Sequence, residues 1–148
     1  MDFGWINLWN GCLVMLMLAP NLLHMLKSKG QGPEPHLPRG LMIAEQAGRF
    51  GCMAFMVLPL FVGKFGFSGV PGLALYALGN GALLLAYWGF WAAYRRRKTL
   101  SRAMVLALLP TAIFLLTGCL LRHGALVAAA LLFGYAHVQI TVLTHRVP

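Results

Sequence analysis

The chain has 148 residues, of which 59% are hydrophobic and only 10% charged, far from the roughly 25% charged residues of soluble domains. Its formal charge of +9, from 12 Lys and Arg against 3 Asp and Glu, would point to nucleic acid in a soluble chain. Here apolar runs of about 20 residues follow one another with little between them, which excludes a soluble nucleic-acid-binding domain and makes lipid the solvent.

Five such runs, at 5–26, 41–61, 70–94, 100–121 and 125–144, predict one all-α membrane domain over 1–148, a polytopic bundle of five transmembrane helices. Lys27, Lys29 and Arg39, then Arg95, Arg96, Arg97, Lys98 and Arg102, and finally Arg146 fall on one side, with only Lys64 and Arg122 on the other. By the positive-inside rule the N-terminus is outside and the C-terminus cytoplasmic. The same basic clusters can touch anionic head groups, so membrane lipids are expected partners. The first run has no basic residue before it and is too long for a signal-peptide core, so it reads as a retained helix. Cys12, Cys52 and Cys119 all lie in apolar runs without a CxxC and read as small packing residues.

In the first helix Asn7, Asn10, Val14, Met17, Asn21 and His24 recur at three- and four-residue steps and share one inward face. Pro20 on that helix frees a backbone carbonyl, expected to be approached by Asn21 or His24. The segment GQGPEPHLPRG at 30–40 reads as a cytoplasmic loop with Glu34 and His36 solvated. The second run, LMIAEQAGRFGCMAFMVLPLF, holds Glu45, Gln46 and Arg49 inside an apolar span. A charge near mid-membrane costs about 2.5–3.5 kcal/mol on insertion scales, so these residues should face the bundle interior. Glu45 and Arg49 stand four apart and can pair, on a stripe continued by Cys52, Met56 and Pro59, while Ala44, Ala47, Gly48 and Gly51 offer small steps for close helix contact.

A short outer loop at 63–69 leads to the third helix, whose stripe is Tyr76, Asn80, Leu83, Tyr87, Trp91 and Tyr94. Trp88, Trp91 and Tyr94 at its end read as an interfacial aromatic belt, and Asn80 and Tyr87 as interior. The fourth helix offers only Thr111, Thr117 and Pro110 among apolar residues; as the least polar, it is expected at the lipid-facing periphery or at an oligomer contact. The fifth sets Ala130, Gly134, His137, Thr141 and Thr144 on one stripe.

Counting the helical rise from the cytoplasmic run ends puts Asn21 about 8 Å deep, Glu45 about 6 Å, Arg49 about 12 Å, and Tyr87 and His137 about 10 Å. Residues from four helices therefore reach one layer, enclosed by helices one, two, three and five. The expected site is a cytoplasm-facing polar pocket in which Arg49 contacts an anionic ligand and Glu45 competes for it. His137 supplies a titrating group, and Asn21, His24, Gln46 and Tyr87 orient donors and acceptors. The ligand is small or lipid-like, with transport or binding as the activity; a pathway could require a homo-oligomer. A structural or accessory subunit is the alternative, in which these groups only satisfy one another. No Gly-x-Ser-x-Gly, HExxH, phosphate loop or redox CxxC occurs, so neither a catalytic set nor a metal or cofactor is expected.

Glu45-Gln46 with Arg49, followed by Phe133-Gly-Tyr-Ala-His137, resembles a degraded form of the glutamate-glutamate-arginine and phenylalanine-xxx-histidine motifs of intramembrane CAAX-type proteases. It departs from them at Gln46, in an arginine spacing one short, in lacking the second His-xxx-Asn/Asp motif, and in helix number. That resemblance would imply an intramembrane enzyme using Glu45 and His137. Tryptophan-rich sensory proteins share the helix number and length, but their Trp-Pro signatures are missing. Asn21, Glu45-Gln46-Ala47-Gly48-Arg49-Phe50-Gly51 and Gly134-Tyr-Ala-His137 together resemble small uncharacterised bacterial five-helix inner-membrane proteins. That resemblance implies a bacterial inner-membrane location and no activity.

Overall fold

The computed structural model describes residues 7–27, 36–62 and 66–146. Among them are five α-helices and no strand: α1 (Leu8–Lys27), α2 (Arg39–Val57), α3 (Val70–Arg96), α4 (Leu100–Leu120) and α5 (Gly124–Arg146). The bounds lie close to the expected runs except that α2 stops short at Val57, because the residue before a proline is driven out of the helical region and Leu58, before Pro59, is extended at φ −106° and ψ 129°. α3, α4 and α5 are each long and apolar enough to cross a membrane, and α1 to His24 is a shorter apolar helix. α2 falls below them because Glu45, Gln46 and Arg49 interrupt its apolar sequence. The expected start of the first span at Trp5, together with Lys29, Glu34 and Lys64, lies outside the described residues. His36, expected to be solvated, is exposed.

The helices close into a ring in which α5 packs against α2 and α4, α4 against α3, and α1 more lightly against α2 and α3. The α2–α5 pair is antiparallel, and glycine sets how near the two can come. A Cβ on Gly48 would lie 2.7 Å from the Phe133 amide N, and one on Gly51 would lie 3.5 Å from the Ala129 Cβ. At the far end of the same seam the rings of Phe55 and His123 are 5.5 Å apart. α4 and α5 form an antiparallel hairpin closed the same way, since a Cβ on Gly134 would meet the Thr111 Cγ2 at 2.5 Å.

α1 and α3 run parallel, tied by polar side chains. Asn7 caps α1 by accepting the Asn10 amide at 3.1 Å, and its own amide donates to the Val57 carbonyl at 2.8 Å. The Asn10 side chain donates to the Met56 carbonyl at 2.7 Å and accepts from the Tyr76 hydroxyl at 2.5 Å. Three helices thus meet on Asn10, which is fully buried, and the last carbonyls of α2 find donors that the helix itself cannot supply.

The expected peripheral place of α4 is corrected by the fold. Of its apolar stretch 44% is buried, against 17% for α3 and 28% for α5. Lipid is as apolar as leucine, so polarity does not rank helices by burial; small residues that permit close approach do. Ala103, Ala107, Thr111 and Gly118 give α4 that property.

Candidate functional site

The carboxylate of Glu45 organises the site. It is buried, and Arg49, one turn along α2, donates from Nε to its Oε1 at 3.0 Å and from Nη2 to the same oxygen. From α5, His137 Nδ1 lies 3.2 Å from that oxygen, an ion-pair distance when the imidazole is protonated, although its approach is too oblique for a directed hydrogen bond. Phe133, one turn before His137, stacks on the imidazole at 4.9 Å and 22°. The cause is the α2–α5 seam. Gly48 admits the Phe133 backbone, and a turn toward the basic end the antiparallel register places Glu45 opposite His137.

Arg49 and His137 line a cavity of about 450 Å³ in the half of the bundle nearest the arginine-rich α3–α4 turn. All five helices contribute to its wall. Asn21 and Tyr87 reach it from α1 and α3, joined by a 3.0 Å hydrogen bond from the Asn21 amide to the Tyr87 hydroxyl. Thus Asn21, Arg49, Tyr87 and His137 share one cavity, with Glu45 behind Arg49 and His137. Farther from the basic end than Arg49 and His137 the wall is apolar, with Met53, Phe114 and Phe133.

Two expected site residues lie elsewhere. Gln46 is exposed and does not line the cavity, because adjacent helix positions point about 100° apart and Glu45 already takes the inward direction. His24 is half-buried outside the cavity lining, with its ring 5.2 Å from that of Trp91.

Trp91 and Tyr94, read from the sequence as belt residues, both line the cavity. Trp91 donates from Nε1 to Asn21 Oδ1 at 3.2 Å, and the Tyr94 hydroxyl lies 3.2 Å from His145 Nε2. His145 continues the stripe of His137 and Thr141 at four-residue steps. Its Nδ1 meets the Thr141 carbonyl at 2.9 Å.

The carbonyl freed by Pro20 is that of Leu16, and neither Asn21 nor His24 takes it; the Trp88 indole donates to it at 3.1 Å. Among the described residues, no three of His, Cys, Asp and Glu come together as a metal-binding group. Comparison with protein-family models, with curated proteins and with solved structures finds no match for this chain.

Proposed function

We propose that the chain is a five-span protein of a bacterial inner membrane, N-terminus outside, that binds or moves a small or lipid-like anionic molecule through this cavity. One observation carries the reading: a single cavity of about 450 Å³ has Arg49, His137, Asn21 and Tyr87 in its wall and, farther from the basic end, Met53, Phe114 and Phe133. That division matches an amphiphile, its anionic group held by charge and donors and its apolar part by aromatic and aliphatic side chains. The Glu45 contacts use Nε and Nη2 of Arg49, so Nη1 is the guanidinium nitrogen those contacts leave for an incoming anion. With the basic end toward the cytoplasm, the cavity opens inward.

The accessory-subunit reading draws on the pairing of Glu45 with Arg49 inside the bundle. The small faces it would use for a partner are in part taken, since Gly48 and Gly51 contact Phe133 and Ala129 of the same chain.

Native mass spectrometry of the protein released from lipid nanodiscs tests the proposal. The wild type should retain a mass adduct that disappears in Arg49→Ala and in the Glu45→Gln/Arg49→Ala pair, the pair leaving no unbalanced carboxylate to unfold the bundle. If neither variant loses an adduct that the wild type retains, the site is overturned, and a stoichiometric protein partner in place of that adduct would favour the accessory role.

A further inference from the structure

A second cavity, of about 380 Å³, lies outside the ring at the α3–α4 turn and is lined by Gly89, Ala92, Ala93, Arg96, Arg97 and Arg102. Arg102 is fixed there: its Nη1 donates to the Ala93 carbonyl at 2.7 Å and to the Arg97 carbonyl at 3.3 Å, bridging the end of α3 to the start of α4. These contacts use one nitrogen of a planar group whose fork suits phosphate oxygens.

Three guanidinium groups on one cavity need counter-charge. The only acidic side chain among the described residues, Glu45, is engaged by Arg49, and the whole chain has 3 acidic residues against 12 Lys and Arg. Among the described residues no other acidic side chain balances the three arginines, which suits them to an anion from outside the chain.

The other end of the cavity is apolar and open. At Gly89 a Cβ would meet nothing within 4 Å. From Arg96 to Gly89 the helix falls seven residues, about 10 Å, from the basic turn into the apolar span. A free anion would use only the arginine end; a phospholipid uses both.

We infer that this groove is a seat for one anionic phospholipid, its phosphate held by Arg96, Arg97 and Arg102 and the upper methylenes of one acyl chain lying over Gly89. It is independent of the cavity around Arg49.

Native mass spectrometry from nanodiscs of phosphatidylglycerol and phosphatidylethanolamine in equal parts tests this. Phosphatidylglycerol should be retained in preference. Arg96→Gln/Arg97→Gln should weaken retention about thirtyfold, at the usual surface value of a basic residue near anionic lipid. Gly89→Leu keeps every charge and fills the groove in a helix that favours leucine over glycine, so it should weaken retention several-fold without unfolding. Glu45→Gln/Arg49→Ala should leave this adduct in place, and millimolar inorganic phosphate should not displace it. Equal retention of the two lipids, wild-type retention by Gly89→Leu, loss in Glu45→Gln/Arg49→Ala, or displacement by phosphate would each overturn the seat. The last outcome would assign a free-anion site instead.

Discussion

Trp88 donates its indole N–H to the Leu16 carbonyl at 3.1 Å, and Leu16 is the residue whose helical donor Pro20 cannot provide. A proline inside a helix leaves a backbone acceptor without its helical donor, and here a neighbouring helix satisfies it. The contact also binds α1 to α3 one turn from the Asn21–Tyr87 and Asn21–Trp91 hydrogen bonds that form the cavity wall.

That relationship predicts a coupled pair. Trp88→Phe should cost about 1 kcal/mol or slightly more, because it orphans the carbonyl. In a Pro20→Ala background the restored amide supplies the donor, so the same change should cost measurably less. Unfolding free energies of the four proteins in bicelles give the coupling, and strictly additive costs would contradict the account.

Gly48 and Gly134 both close helix seams but should respond differently to alanine. At Gly48 the new Cβ would meet the Phe133 backbone, which moves only with the whole of α5, so Gly48→Ala should destabilise strongly and separate Glu45 from His137. At Gly134 the obstacle is the Thr111 side chain. Thr111→Ala should therefore restore much of the stability lost in Gly134→Ala, and thermal unfolding of the single and double variants reads the rescue.

The Glu45 carboxylate predicts non-additivity. Arg49→Ala removes the two guanidinium donations and leaves a buried carboxylate with His137 alone, a loss of about 3–5 kcal/mol for an uncompensated charge. Adding Glu45→Ala removes that charge, so the double variant should be more stable than Arg49→Ala. A double variant less stable than either single one would refute the coupling.

Much of this was legible before the fold. Membrane thickness forces apolar runs of about 20 residues, and the helical rise turns position into depth, so Asn21, Arg49, Tyr87 and His137 could be placed in one layer without knowing which helices touch. The central place of α4 was not legible. It rests on the small residues of α4 meeting their partners on α5, as where Gly134 receives Thr111, a pairwise fit that the apolar composition of α4 does not express. The place of Trp91 in the cavity wall was not legible for a related reason: a tryptophan near a helix end has the same composition signal whether it meets head groups or a cavity.

His123 predicts a pH dependence at the opposite end of the bundle. It lies in the turn before α5, caps that helix by accepting the Leu126 amide on Nδ1 at 3.3 Å, and is fully buried. Burial pushes its pKa below the ordinary 6.5, with backbone hydrogen bonds at Leu58 and at His123 itself opposing the shift. The folded state therefore binds this proton less readily than the unfolded chain. Its contribution to stability is fully present above the ordinary value and is lost as pH falls through the lower folded value. His123→Asn keeps an acceptor at the cap and cannot charge. Stability measured from pH 8 down to pH 5 should fall less steeply in this variant than in the wild type, the difference appearing only below about pH 7. Identical slopes for the two proteins would mean that protonating His123 costs the fold nothing, and that its ring is not held neutral by its burial.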